Sequence, residues 1–581
     1  MKQPKINELA LLSDQNTCAL LDQRGTVCWY CPERFDKNAA MSLLLDEEKG
    51  GFWTVEAQEN TYAGRSYVEA SSVLETRFSV GDGHLTITDW LPLDGDLRGL
   101  CRLFSVTSAG LINKIRLRGD YGQEEIAHAL VSPTTVSFPS LGLWLRTSHA
   151  VQHSGDTIIF TVPPGEAGWA VLANSEASTG SLTAETLQTS LDQTLAGWRS
   201  LMGETKYSGP YEQEIDRSKR AVKQLTFAAT GVVLAAPTTS LPEVIGGKRN
   251  YDYRYVWTRD VSLIVSAFVQ LDMDDKRAKR VLTFFAEALA ESGKRQLAPF
   301  YAVDKKIVSD LRKLKLDGYR NSAPVQVGNT ASDQLQLDAD GHVLLAAKLV
   351  YQQFGEIVEW DAISKIADFL ADNWDKDDNG IWEEKAKKAY TSSKVFVARG
   401  LEFMAEYSKE PQQAERWAMA AAKIRAFIRD KCMTKSGAFA VYAGSQEVDV
   451  TSAMFPLWTY CEPDSPEMLA TIKEIESKWS KNDLYRRRLE EFDSTKEGAF
   501  LAGSCWMAHY YAVAGDLKRS SRILDSVCQF QNDLGFFSEE AGMDREQPLL
   551  GNFPQSFVHS SFVCAANGYK QELEGKDSRV S

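Results

Sequence analysis

The residues best equipped for chemistry are carboxylates set directly after aromatic rings. NGIWEEK at 379–385 places Glu383 and Glu384 after Trp382, and GFFSEE at 535–540 places Glu539 and Glu540 after Phe536 and Phe537. A third segment, NYDYRYVWTRD at 250–260, gathers Tyr253, Trp257, Arg259 and Asp260 just ahead of a helical pattern. Ring faces stack on sugars while charged groups bond their hydroxyls, so this composition suits a saccharide cleft. A lone Glu-Glu pair is ordinarily solvated; three such segments in one helical region weigh against that plain reading.

Other familiar chemistries find no support. There is no Walker loop, no G-x-G-x-x-G after a strand and no H-E-x-x-H. The histidines never cluster at ligand spacing. AGSCW at 502–506 resembles a cysteine-protease signature, but Ala502 replaces its first cysteine. Too few residues follow Cys505 for the His and Asn such an enzyme needs downstream, so the segment reads as a buried helix. Cys28 and Cys31 form one C-x-x-C without a second pair at zinc spacing, and read as structural.

Two kinds of element must position these groups. Up to about residue 180 the chain alternates short apolar runs with turns. SSVLETRFSV at 71–80, the turn Gly81-Asp82-Gly83 and HLTITDW at 84–90 predict a hairpin with Leu85 and Ile87 on one face. DTIIFTV at 156–162 stops at Pro163-Pro164-Gly165. Strands and turns without helical periods predict an antiparallel sandwich.

From 184 the period becomes helical. AETLQTSLDQTLAGWRSLM at 184–202 predicts an amphipathic helix linking the halves. Val281, Phe284, Phe285, Ala288 and Leu289 form one apolar stripe; Ile363, Ile366, Ala367, Leu370 and Trp374 form another. Trp417, Ala420, Ala421, Ile424, Phe427 and Ile428 form a third. The division expected is a sandwich over 1–183, a linker helix over 184–205 and a helical catalytic domain over 206–581. No Pro-rich or Gly/Ser-rich linker intervenes, so the halves are expected to pack together.

The 581 residues carry 65 Lys plus Arg against 79 Asp plus Glu, a net charge of −14. That sign disfavours nucleic acid and anionic membrane surfaces as partners. No apolar run approaches the roughly 18 residues of a membrane span. The start MKQPKINELALLSD has no apolar signal region, and nine thinly spread cysteines read as reduced thiols, so the expected location is cytoplasmic.

Taken in order, the motifs resemble glycoside hydrolase family 15, the glucoamylase-like family with bacterial trehalase-like members. ALLSDQNTCALLDQRGTVCWYCPERFD is similar to the opening of its bacterial members. APTTSLPEVIGGKRNYDYRYVWTRD at 236–260 resembles its first catalytic signature. GYRNSAPVQVGNTASDQLQLDADG at 318–341, NGIWEEK, EGAFLAGSCW at 497–506 and LGNFPQSFVHSSF at 550–562 match later blocks in sequence. The resemblance spans nearly the whole chain.

It implies an α+β multidomain fold, an antiparallel β-sandwich followed by an (α/α)6 barrel. It also implies inverting release of glucose from non-reducing α-glucoside ends of short oligosaccharides, with α,α-trehalose and isomalto-oligosaccharides or dextran as alternatives. An inactive sugar-binding protein is the alternative outside enzymes. By match to its motifs, Glu383 is the general acid and Glu539 the general base. Arg259 and Asp260 grip the terminal sugar, while Tyr253, Trp257 and Trp382 shape its pocket. Glu384, Glu540 and Arg486 are expected to contact the sugar or its neighbour. Neither step calls for a metal or an organic cofactor. The sequence departs from the family at Lys248, at Tyr251, and near Ala398, where an aromatic is usual.

Overall fold

Two antiparallel sheets form the N-terminal half. Among the residues described, one has seven strands in the spatial order Ala10–Ser13, Cys18–Leu21, Val27–Cys31, Phe52–Ala57, Leu111–Arg116, Thr157–Val162 and Val151–Ser154. The other has eight, from Ala129–Ser132 at one edge through Thr135–Phe138, Leu143–Thr147, Gly168–Ala173, Gly99–Phe104, Gly83–Trp90 and Leu74–Val80 to Asn60–Tyr67. The computed structural model describes residues 1–580 except 58–59, 82, 107, 180–181, 204–206, 271–274 and 545–546. Asp82 of the expected turn, and the end of the expected linker at 204–205, therefore lie outside the described residues.

The hairpin forms as its alternation predicts, with Val80 opposite Gly83 and with Leu85 and Ile87 buried on one face. The first three strands instead bury every residue. One face packs into the sandwich and the other meets the helical half, so their sequences lack a polar alternation. The Trp29 indole donates to the Pro237 carbonyl at 3.0 Å, and Asn532 donates to the Leu9 carbonyl at 2.8 Å.

Helix α1 (Ala184–Met202) is capped by the Thr183 side chain. It does more than link the halves. Leu187 and Leu191 form a separate small core with Val73 and with Trp90, Cys101 and Val171 of the eight-stranded sheet.

The helical half is a double ring. Helices α2 (Glu212–Gln224), α4 (Asp275–Ser292), α6 (Trp360–Asn373), α8 (Pro411–Lys431), α9 (Pro466–Trp479) and α11 (Leu517–Cys528) lie outside. Inside are α3 (Thr258–Gln270), α5 (Leu337–Phe354), α7 (Thr391–Tyr407), the 3-10 turns Val450–Met454 and Pro456–Trp458, α10 (Leu501–Val513) and α12 (Ser556–Leu573). Helix α12 returns to α3 and closes the ring, which makes an (α/α)6 barrel.

The three apolar stripes belong to α4, α6 and α8, which bury only one face. Inner helices have no stripe because they are buried nearly all round; α10, which carries AGSCW, is buried from Leu501 to Ala512. Ala398 is fully buried in α7, so the missing aromatic falls in the core. Each inner helix begins on the same side of the barrel, where the loops ahead of it carry the site.

Candidate active site

Segment 250–257 enters the barrel immediately before α3 and is braced from the sandwich. Arg254 is fully buried, forks onto Asp252 at 2.7 and 2.8 Å, and donates to the Lys37 carbonyl at 2.8 Å. Trp257 stacks on Phe300 with ring centroids 4.7 Å apart. That packing aims its indole N–H at Glu383 Oε1, 2.7 Å away. Arg259 Nη2 approaches the same oxygen at 3.4 Å. Oε2 of Glu383 accepts no hydrogen bond from the described residues, and the side chain keeps 21% of its surface.

Glu383 lies in the loop before α7, with φ of +59°. A non-glycine residue in the left-handed region costs on the order of 1–3 kcal/mol and persists where its surroundings over-determine it. Here its carbonyl accepts from Gln334 Nε2 at 2.9 Å, and its N–H closes a turn onto the Gly380 carbonyl at 3.1 Å.

Glu539 lies in the loop before α12 and is 4% exposed. The Tyr253 hydroxyl donates to its Oε1 at 3.1 Å, while Oε2 is buried without a partner among the described residues. Gly551, at φ +77°, passes so close that a Cβ there would lie 2.9 Å from Glu539 Oε2. Tyr253 and Trp257 meet edge to face at 5.3 Å, so Glu539, Tyr253, Trp257 and Glu383 form one continuous chain of contacts. Burial, reinforced by Glu243, pushes Glu539 up to about 8, with Arg487 opposing.

Behind Glu539, Arg487 forks onto Glu497 at 2.9 and 3.0 Å and reaches Glu243 at 2.9 Å and Glu540 at 3.3 Å. Arg249 adds a second guanidinium, 2.6 Å from Glu243. Oxygens of Glu243, Glu497 and Glu540 lie within 4.8 Å of one another, a spacing a cation could bridge. The two arginines already supply positive charge to that donor set.

One expected sugar contact is corrected here. Glu540 is fully buried, with its oxygens taken by Arg487 and the Gly498 N–H, so none is left for a hydroxyl. Arg486 turns its Nε to the Glu497 carbonyl at 3.1 Å. Its neighbour Arg487 is buried, 5.5 Å from the Trp382 ring centroid. Successive residues of an extended chain point to opposite sides, and sequence alone does not say which side faces in.

The remaining expected residues converge. Trp382 donates to Asp449 at 3.0 Å and stacks on Trp506. Glu384 Oε1 accepts the Glu490 N–H at 2.6 Å, and burial raises its pKa. Asp260 accepts from Arg259 Nε at 3.2 Å; burial raises it to about 6, Arg259 opposing and Glu383 adding to the rise. Tyr251 lies nearly parallel to Tyr253 at 6.4 Å, so the departure keeps a ring in the aromatic wall. Lys248 is exposed. Sequence reasoning missed Gln334 and Gln336, although both lie in the quoted block 318–341.

An (α/α)6 barrel behind a β-sandwich, with Glu383 and Glu539 linked through Trp257 and Tyr253 on the loops ahead of its inner helices, is the arrangement to set beside known carbohydrate-active hydrolases. Residues 209–524 match the profile of Glycosyl hydrolases family 15, and residues 1–133 match the trehalase-like N-terminal domain. The chain belongs to glycosyl hydrolases family 15 and is a glycoside hydrolase. It is 27% identical over 605 residues to a trehalase of Thermoplasma volcanium, covering 100% of this chain and 96% of that one. A trehalase of Mycolicibacterium smegmatis is 28% identical over 625 residues, covering 99% and 92%. A bacterial glucoamylase complexed with acarbose shares the fold, with TM-score 0.74 at 12% identity, covering 100% of this chain and 95% of that one.

Proposed function

We propose that the protein is an inverting α-glucosidase whose substrate is α,α-trehalose, with Glu383 as general acid and Glu539 as general base. Trp257 and Arg259 occupy one oxygen of Glu383, which leaves Oε2 to carry the proton. That proton passes to the glycosidic oxygen as the bond from C1 breaks. A water on the opposite face attacks C1 and gives its proton to Oε2 of Glu539. The bare, buried Oε2 is the observation that carries the base assignment, since a buried acceptor without a partner is costly unless a ligand fills it. Inverting enzymes hold their carboxyls roughly 6.5–9.5 Å apart to admit this water.

Trp257 and Arg259 also stabilise the carboxylate that remains on Glu383 once its proton has left. Arg259 and Asp260 grip hydroxyls of the reacting glucose, and Tyr253 and Trp382 shape its pocket. Glu384, tethered to the 486–493 loop through Glu490, holds the second sugar.

Trehalose is favoured over malto- and isomalto-oligosaccharides by the end-to-end likeness to trehalases, which includes the N-terminal half. Purified protein assayed on trehalose, maltose, maltotriose, isomaltose, nigerose and kojibiose is expected to give its highest kcat/KM on trehalose. A higher value on another member would replace the substrate, and no glucose from any of them would overturn the enzyme reading.

A further inference from the structure

We infer that Gln334 is a positioning residue for Glu383, holding the general acid by its backbone through a closed ring of hydrogen bonds that also contains Arg259. The inference rests on the reading of Glu383 as the acid. Arg259 Nη1 donates to Gln336 Oε1 at 3.3 Å, Gln336 Nε2 to Gln334 Oε1 at 2.9 Å, and Gln334 Nε2 to the Glu383 carbonyl at 2.9 Å. Arg259 Nη2 on Glu383 Oε1, at 3.4 Å, completes the ring. The amides are read in the orientation in which every donor meets an acceptor.

The geometry gives the ring a task. Glu383 has a left-handed backbone that its residue type does not favour; the Gln334 amide holds its carbonyl at one end of the peptide, and the Glu384 N–H holds the other end on the Asn379 carbonyl at 3.0 Å. The two loops are laced at a second point, where Asn379 N–H donates to the Leu335 carbonyl at 2.8 Å and Leu335 N–H donates to Asn379 Oδ1 at 3.1 Å. Leu337 N–H also donates to Asp378 at 3.0 Å. That lacing secures the loop as a whole, so losing the Gln334 amide removes the bond on the Glu383 carbonyl without releasing the loop. Because Arg259 belongs to the same ring, the residue gripping the sugar and the residue protonating its leaving group are held at one fixed spacing.

The test compares trehalose, whose leaving group needs a proton, with α-glucosyl fluoride, whose leaving group does not. Gln334→Ala is expected to lower kcat on trehalose roughly tenfold or more, because a displaced catalytic group loses its near-attack geometry. KM should change less than about twofold, and turnover of the fluoride less than about threefold. In a Glu383→Gln background, Gln334→Ala should cost nothing further on either substrate. Gln334→Glu keeps length and removes the N–H donors, and is expected to behave like the alanine variant; it decides the matter if the alanine variant does not fold. Equal losses on both substrates, or a full additional loss in the Glu383→Gln background, would overturn the positioning role and leave the hydrolase reading standing. Wild-type protein that turns over neither substrate would overturn that reading as well.

Discussion

Trp257 and Glu383, 126 residues apart in the chain, meet at 2.7 Å with the indole N–H on Glu383 Oε1. Phe300 fixes the indole plane from behind, so the bond is set by packing as much as by polarity. Trp257→Phe keeps that stack and removes the donor. A hydrogen bond to a charged group contributes about 1.5–3 kcal/mol, so kcat on trehalose should fall roughly ten- to hundredfold with little change in KM. A variant altered only in KM would place Trp257 in sugar binding alone.

The pH profile should report the cluster behind Glu539. A base must be ionised, and burial with Glu243 holds Glu539 well above the ordinary carboxylate range. The rising limb of kcat/KM should therefore lie above pH 6. Glu243→Gln removes a negative neighbour and should move that limb to lower pH; Arg487→Met removes the opposing positive charge and should move it upward. A wild-type limb near 4.5, or shifts of the opposite sign, would contradict the assignment of Glu539 as base.

Stability should fall as pH rises, and Asp340 is a direct probe. It is buried in α5, accepts the Leu297 N–H at 3.1 Å, and is pushed by burial from 3.8 to about 8. Its proton stabilises the fold fully below the unfolded value near 3.8, and that contribution is lost as pH rises through about 8. Asp340→Asn keeps an acceptor and has no proton to lose. Thermal melts should show matching Tm values at pH 4 and a higher Tm for the variant at pH 8.

The sandwich should be needed by the site it braces. Arg254→Met removes the fork on Asp252 and the bond to the Lys37 carbonyl. Breaking a buried pair by deleting one partner costs about 3–5 kcal/mol. Chemical denaturation should register a loss of that order, and surviving folded protein should have lower kcat, since Tyr253 and Trp257 lie on the same segment.

The sequence made the two halves legible because their hydrophobic periods differ. Outer-ring helices such as α6 could be read from stripes, whereas α10, buried all round, offered no stripe to read. Within the site, the segments carrying Glu383, Arg259 and Asp260 stood out by residue type and neighbourhood, whereas the choice of Glu383 over Glu384 came from the family resemblance; Arg259 touches both Asp260 and Glu383. Glu540 was misplaced because it adjoins a residue of like type with its side chain on the other side of the chain. Gln334 and Gln336 carry no chemical signature; their importance arises only when loop 334–336 is laid against loop 379–384.

The central claim, a single displacement by water, is tested most directly by proton NMR of the first products from trehalose. Only one of the two C1–O bonds is cleaved. Attack by water from the opposite face turns that glucose into the β anomer, while the departing glucose keeps its α configuration. In the first minutes, before mutarotation, α- and β-glucose should appear in equal amounts. Formation of α-glucose alone would mean a covalent intermediate with retention, and would contradict the role of Glu539 as the base.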